Sequence, residues 1–222
     1  MKKLISLFAL LFCIGGAYAQ EPKLDTTIVI NTHKFHIKTS IATDEIGTIL
    51  TIKRDSRIIQ YDSLGQIWRI KLNDFDSDGF PDISIGFGSF TNIYYSAGLL
   101  LFDTITNDFI NVAGFENCEG ADPLKANRHY YYSYQKTGCA DNNWYSVLFT
   151  LKDFKMNIIG TMDGEGCDKD STKWVISIYK GPMDKQDTIP IEQIPYSKAY
   201  PGGYGKFNFI DNYWNAYYKK FQ

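Results

Sequence analysis

Short apolar runs separated by turn residues recur along almost the whole chain. They fall at 26–31 (TTIVIN), 34–39 (KFHIKT), 48–53 (TILTIK), 57–61, 66–71, 82–87, 97–103, 108–113, 129–135, 143–151, 154–162, 173–180 and 187–191. The first two alternate between apolar and polar positions, as half-buried strands do. The run AGLLLF at 97–102 is apolar without a break, the pattern of a central strand. Asp62 to Gly65, Asp103 to Asn107, Thr137-Gly138 and Lys180-Gly181-Pro182 supply turn residues between runs. Short strands at this spacing predict an all-β fold of mainly antiparallel sheets, sandwich- or propeller-like. No sequence period marks a multi-blade array.

The tail after Pro201-Gly202-Gly203 departs from this pattern. Tyr213, Tyr217 and Phe221 lie four apart, as do Trp214 and Tyr218. That stripe predicts a short C-terminal helix with Asp211 as N-cap and Lys219-Lys220 near its negative end. Its aromatics are expected to pack on a sheet.

The N-terminus reads MKKLISLFALLFCIGGAYAQ. Lys2 and Lys3 precede an apolar stretch from Leu4 to Ile14, too short to span a bilayer, and Ala17-Tyr18-Ala19 is a small-x-small cleavage pattern. Residues 1–19 therefore read as a signal peptide, with 20–222 as a single β-rich domain. Leu11-Phe12 before Cys13 does not fit a lipobox. Export to the periplasm or beyond is expected, without a membrane span. Once Lys2 and Lys3 are removed, 21 Lys and Arg face 25 Asp and Glu, and no basic patch points to nucleic acid. The 16 Tyr, 15 Phe and 4 Trp favour strands and leave aromatics for a binding surface.

Three cysteines follow the signal peptide: Cys118, Cys139 and Cys167. Export permits a disulfide. A hairpin turning at Lys152-Asp153 sets Cys139 opposite Cys167, leaving Cys118 as the odd thiol. The competing pair, Cys118–Cys139, spans a loop-rich segment and stays open on sequence alone. No CxxC spacing or nearby His pair suits zinc.

Residues 74–82, DFDSDGFPD, carry the clearest chemistry. Asp74, Asp76 and Asp78 alternate, Gly79 follows, and Asp82 closes the set. Calcium needs six to eight oxygen ligands from a short segment. Positions 1, 3 and 5 of a tight loop supply carboxylates, Gly79 permits the sharp turn, and the Phe80 carbonyl and Asp82 complete the ring. The position of the bidentate Glu in an EF-hand holds Ile85, and both flanks are strand-like. The expected centre is thus a strand–loop–strand Ca²⁺ site with ligands Asp74, Asp76, Asp78, Phe80 and Asp82. A second acidic stretch, DGEGCDKD at 163–170, lacks this geometry and reads as a solvated turn.

Catalytic signatures such as HExxH, GxSxG or a Walker loop do not occur. His33, His36 and His129 sit in strand-like surroundings and read as surface residues. No catalytic residue is assigned, and the chain reads as non-enzymatic.

The string DFDSDGFPDISIG, a Gly/Ser/aromatic segment and then LLLFDTITNDF together resemble a group of secreted bacterial calcium-binding β-proteins. That group includes a periplasmic inhibitor of lysozyme-like effectors, akin to inhibitors of invertebrate-type lysozymes. The resemblance spans roughly residues 66–160; the acidic loop by itself also resembles the FG-GAP repeats of integrin-type propellers. It implies a protein partner, a lysozyme-like hydrolase, met by a protruding loop containing Ser, Gly and Tyr. The nearest segment is Gly88 to Gly98, GSFTNIYYSAG, with Ser89, Phe90, Tyr94 and Tyr95 as candidate partner-binding residues. It lacks the Ser-Gly-x-x-Tyr spacing of known inhibitors. Composition allows the same use, because aromatics among small polar residues suit recognition, and it equally allows these aromatics to continue the strands and fill the core. A surface adhesion or glycan-binding module and a carboxylate-based hydrolase are the alternative readings.

Overall fold

The computed structural model describes residues 24–41, 47–64, 67–89, 92–118, 120–183, 189–201 and 205–222. Residues 1–19, which the sequence reads as a signal peptide, lie outside these. The chain folds as three antiparallel sheets followed by a helix, which bears out the all-β reading.

Sheet 1 is a meander of β1 (Asp25–Ile30), β2 (His33–Ile41), β3 (Thr48–Arg54) and β4 (Arg57–Leu64). Two of its turns are two-residue pairs, Asn31-Thr32 and Asp55-Ser56, with positive φ at both positions. This is the mirror-image turn that matches the twist of paired strands. Sheet 2 repeats the meander with β5 (Ile67–Asn73), β6 (Asp82–Ser89), β7 (Asn92–Asp103) and β8 (Asp108–Asn111). Sheet 3 comprises β9 (Asp122–Pro123), β10 (Tyr131–Tyr132), β11 (Gln135–Gly138), β12 (Asn143–Lys152), β13 (Lys155–Glu165), β14 (Val175–Lys180) and β15 (Glu192–Pro195). Its order is β15-β14-β13-β12-β10-β9, with β11 also paired to β12. A short helix α1 (Tyr196–Ala199) precedes α2 (Lys206–Tyr217), and a 3₁₀ turn at Tyr218–Phe221 ends the fold.

The layers stack in chain order, as alternation within single strands shows. In β7, Leu100 and Phe102 join Phe35, Ile37, Leu50 and Ile52 in a core between sheets 1 and 2. Leu99 and Leu101, on the other face, join Val147 and Phe149 between sheets 2 and 3. Burial on both faces is why this run has no polar positions. In β12, Trp144 and Leu148 turn instead to a third core with Ile210, Tyr213, Trp214 and Phe221. Sheet 1 ends the stack, so β1 exposes Asp25, Thr27 and Val29 and sends Ile28 and Ile30 inward.

Several expectations need correction. Helix α2 starts five residues before Asp211, behind Gly205 in a left-handed conformation. Asp211 is therefore no cap; it accepts hydrogen bonds from Tyr132, Lys125 and Asn215. Tyr217 is 43% exposed, and the buried stripe is Ile210, Tyr213, Trp214, Tyr218 and Phe221. The β12–β13 turn is Asp153-Phe154, with Lys152 facing Lys155, and a bulge then brings Trp144 opposite Gly164. The hairpin register thus differs from the expected one, yet Cys139 and Cys167 are joined, with Cα atoms 5.7 Å apart. A 3₁₀ turn at Cys139–Asp141, beyond the strand ends, makes up the difference. Cys118 is free and buried. The acidic stretch 163–170 is only partly a turn: β13 runs on to Glu165, and Asp163 is buried. Among the described residues, no helix is long and apolar enough to cross a membrane.

Candidate metal centre

Residues 74–81 connect β5 to β6, where Asn73 pairs with Asp82. The strand–loop–strand setting is the one expected. Aromatic residues pin this loop at both ends. Phe75 is buried between sheets 2 and 3, stacked on Tyr131 at 5.0 Å and edge-on to Phe115 at 5.8 Å. Phe80 packs 5.5 Å from Phe102, toward the core of sheets 1 and 2. The loop is thereby fastened to both cores that flank sheet 2.

Within the loop, short side chains fold back onto the backbone. The Asp76 carboxylate accepts from the Asp78 N–H at 3.2 Å, Asp78 from the Phe80 N–H at 2.8 Å, and Asp74 from the Gly79 N–H at 3.1 Å. Ser77 and Gly79 have φ of 66° and 94°. A Cβ at Gly79 would meet nothing within 4 Å, so only the left-handed backbone favours glycine there. This winding gathers ligand oxygens of Asp74, Asp76 and Asp78 within 4.8 Å of one another.

Asp82 is different. It stands outside that group of three and is 1% exposed. One oxygen accepts the Phe75 N–H at 2.7 Å and the other the Phe102 N–H at 2.9 Å. It ties the loop entrance to β7. Burial drives its carboxyl up to about 7, outweighing the two N–H bonds that favour the anion, and the charge of Asp76 adds to the rise. Asp76 is also raised, first by burial and then by Asp78 and Asp74. Three carboxylates this close repel one another unless a cation or protons neutralise them.

Sheet 3 supplies neighbours that no local signal in the sequence announced. Arg128 Nε donates to Ser77 Oγ at 3.1 Å, and the Tyr131 hydroxyl reaches the Phe75 carbonyl at 3.5 Å. Both lie about fifty residues beyond the loop, and only the stacking of sheets brings them there.

The partner-binding candidates sit elsewhere on sheet 2. β6 continues to Ser89 and β7 begins at Asn92, with Tyr95 paired to Gly88, so most of Gly88–Gly98 is strand rather than loop. β-branched and aromatic residues in NIYYSAG extend the ladder. Phe90 lies outside the described residues, as do the side chains of Ser89, Tyr94 and Tyr95. The histidines have local roles: His33 Nδ1 meets Asp55 Oδ2 at 2.6 Å, His36 lies 3.4 Å from Asp25, and His129 is exposed.

No family model matches the chain, and no curated protein matches it. Similar solved structures include a Xanthomonas type IV secretion system related protein, at 11% identity and TM-score 0.48, covering 76% of this chain and 93% of that one. The Dos1 propeller is 10% identical with TM-score 0.33 over 78% of this chain and 47% of its own. Pyrococcus horikoshii acylaminoacyl peptidase is 8% identical with TM-score 0.30 over 78% and 33%.

Proposed function

We propose that the chain is an exported, non-enzymatic β-domain braced by one Ca²⁺ that binds a protein partner. The carrying observation is the convergence of Asp74, Asp76 and Asp78 in a loop anchored to two cores. An all-oxygen set with crowded charge suits a hard cation. Asp74, Asp76 and Asp78 supply carboxylates, the Phe80 carbonyl and water add oxygens, and Asp82 holds the backbone in place. Export is supported by the signal-like N-terminus and by the Cys139–Cys167 disulfide.

The non-enzymatic reading starts from the lack of catalytic signatures in the sequence, and Asp82 is the residue that most invites the opposite view. A carboxyl raised to about 7 resembles a general acid. With 1% exposure and both oxygens bonded to backbone, it has no reach to a substrate. A lysozyme-like hydrolase is the partner class that the resemblance implies. Measuring lysozyme-type activity with and without the purified protein tests this, and inhibition at a stoichiometric ratio is the expected result. Undiminished activity together with no pull-down of the enzyme refutes it.

A glycan-binding module is the second reading. It draws on a groove of about 480 Å³ along α2, where exposed Tyr217 and partly buried Phe209 lie beside Asn208 and Asn212. Glycan binding that is lost in Tyr217→Ala, without hydrolase inhibition, would favour it.

A further inference from the structure

A cleft of about 390 Å³ lies between sheets 2 and 3, beside the acidic loop. Strand β5 changes character there. Ile67, Ile70 and Leu72 pack toward sheet 1, as the core requires. The opposite face carries Arg69, Lys71 and Asn73, three positions in period two that line the cleft. In β7 the corresponding face carries Ala97, Leu99 and Leu101, all buried against sheet 3. Sheet 2 therefore presents an apolar surface where sheet 3 covers it and a basic, polar one where the cleft opens. Ser84 extends the polar floor, its hydroxyl donating to Asn73 Oδ1 at 3.4 Å.

A third cation comes from the facing wall. Arg128 precedes β10, lines the same cleft, and is anchored by its bond to Ser77. Asp74 and Asp122 also line it. Three cations against two carboxylates leave the lining with a positive excess that an anion can meet. Guanidinium and ammonium groups together match an oxyanion, and flanking carboxylates accept from hydroxyl groups.

We propose that this cleft binds a small ligand through an oxyanion, with Arg69, Lys71 and Arg128 supplying the positive charge and Asp122 accepting from ligand hydroxyls. An acidic sugar combines both features, and free phosphate offers the anion alone. Calorimetric titration of the purified protein with glucuronate, inorganic phosphate and glucose tests the assignment. Running each titration in EDTA and in calcium keeps it separate from the metal reading. Binding of glucuronate without binding of glucose is expected, weakened at least about tenfold in Arg69→Ala and in Lys71→Ala. Lys38→Ala, on the outer face of sheet 1, should leave it unchanged. Phosphate binding as tightly as glucuronate would show that the oxyanion suffices and Asp122 contributes nothing. The assignment is overturned if neither anion binds at about 10 mM, or if both variants bind as the parent does while circular dichroism shows them folded.

Discussion

Asp76 and Asp82 share a loop but not an environment, and they should behave oppositely on substitution. Asp76 sits among like charges, so in EDTA Asp76→Ala should leave stability unchanged or slightly raised, and in calcium it should remove the metal's effect. Asp82 satisfies two buried N–H groups. Asp82→Ala should cost about 2 kcal/mol or more in either condition, because each orphaned donor carries a desolvation penalty. Chemical denaturation of both variants with and without metal makes the comparison. The raised Asp82 carboxyl also sets a pH dependence in the metal-free protein. Its folded value, about 7, lies above the ordinary 3.8, so the folded state holds the proton more tightly. The stability from this group is full below the unfolded value and is lost as pH rises through about 7. Thermal melts in EDTA should fall between about pH 5 and about pH 7, and Asp82→Asn should flatten the trend; a rise in the parent over this range contradicts the assignment. Cys118 makes a simpler case. It is 1% exposed, and burial pushes its thiol up to about 11. It should resist alkylation until the protein unfolds; rapid labelling of the native protein would contradict its place in the core.

Among the elements, the hairpin turns are open to improvement. Ser56 is exposed and adopts φ of 75°, a conformation that costs an L-residue about 1 kcal/mol more than glycine. Ser56→Gly should therefore raise stability by up to that amount, and a clear loss in a denaturation curve would show the turn to be misassigned. The C-terminal turn depends on glycine in another way. A Cβ on Gly160 would lie 2.7 Å from the Phe221 ring, so Gly160→Ala should displace that ring and lower the melting temperature. Strands announced themselves in the sequence because β-branched and aromatic runs ended at turn residues. The central place of AGLLLF was equally legible, since an unbroken apolar run needs cover on both faces. Asp211 misled because Asp is a good cap in isolation, whereas here tertiary bonds to Lys125 and Tyr132 hold it mid-helix. The hairpin register differs from the expected one because the turn at Asp153-Phe154 has no glycine to mark it and the bulge at Ile159, beside Gly160, then shifts the pairing by one residue.

At the scale of the whole molecule, three sheets and a helix stack in chain order, and the acidic loop fastens sheet 2 to its neighbours. Its carboxylates were readable from spacing alone. Arg128 and Tyr131 were not, because they meet the loop only through the packing of sheet 3. From this place, the proposed metal would act on global stability, since a ligand that binds only the folded state raises its melting temperature by mass action. The most direct test is scanning calorimetry of the purified protein in calcium and in EDTA, with elemental analysis of the material as isolated. The account predicts about one calcium per chain, a higher melting temperature in calcium, and loss of that difference in Asp76→Ala. An identical melting temperature in both conditions, with no metal in the isolated protein, would contradict it.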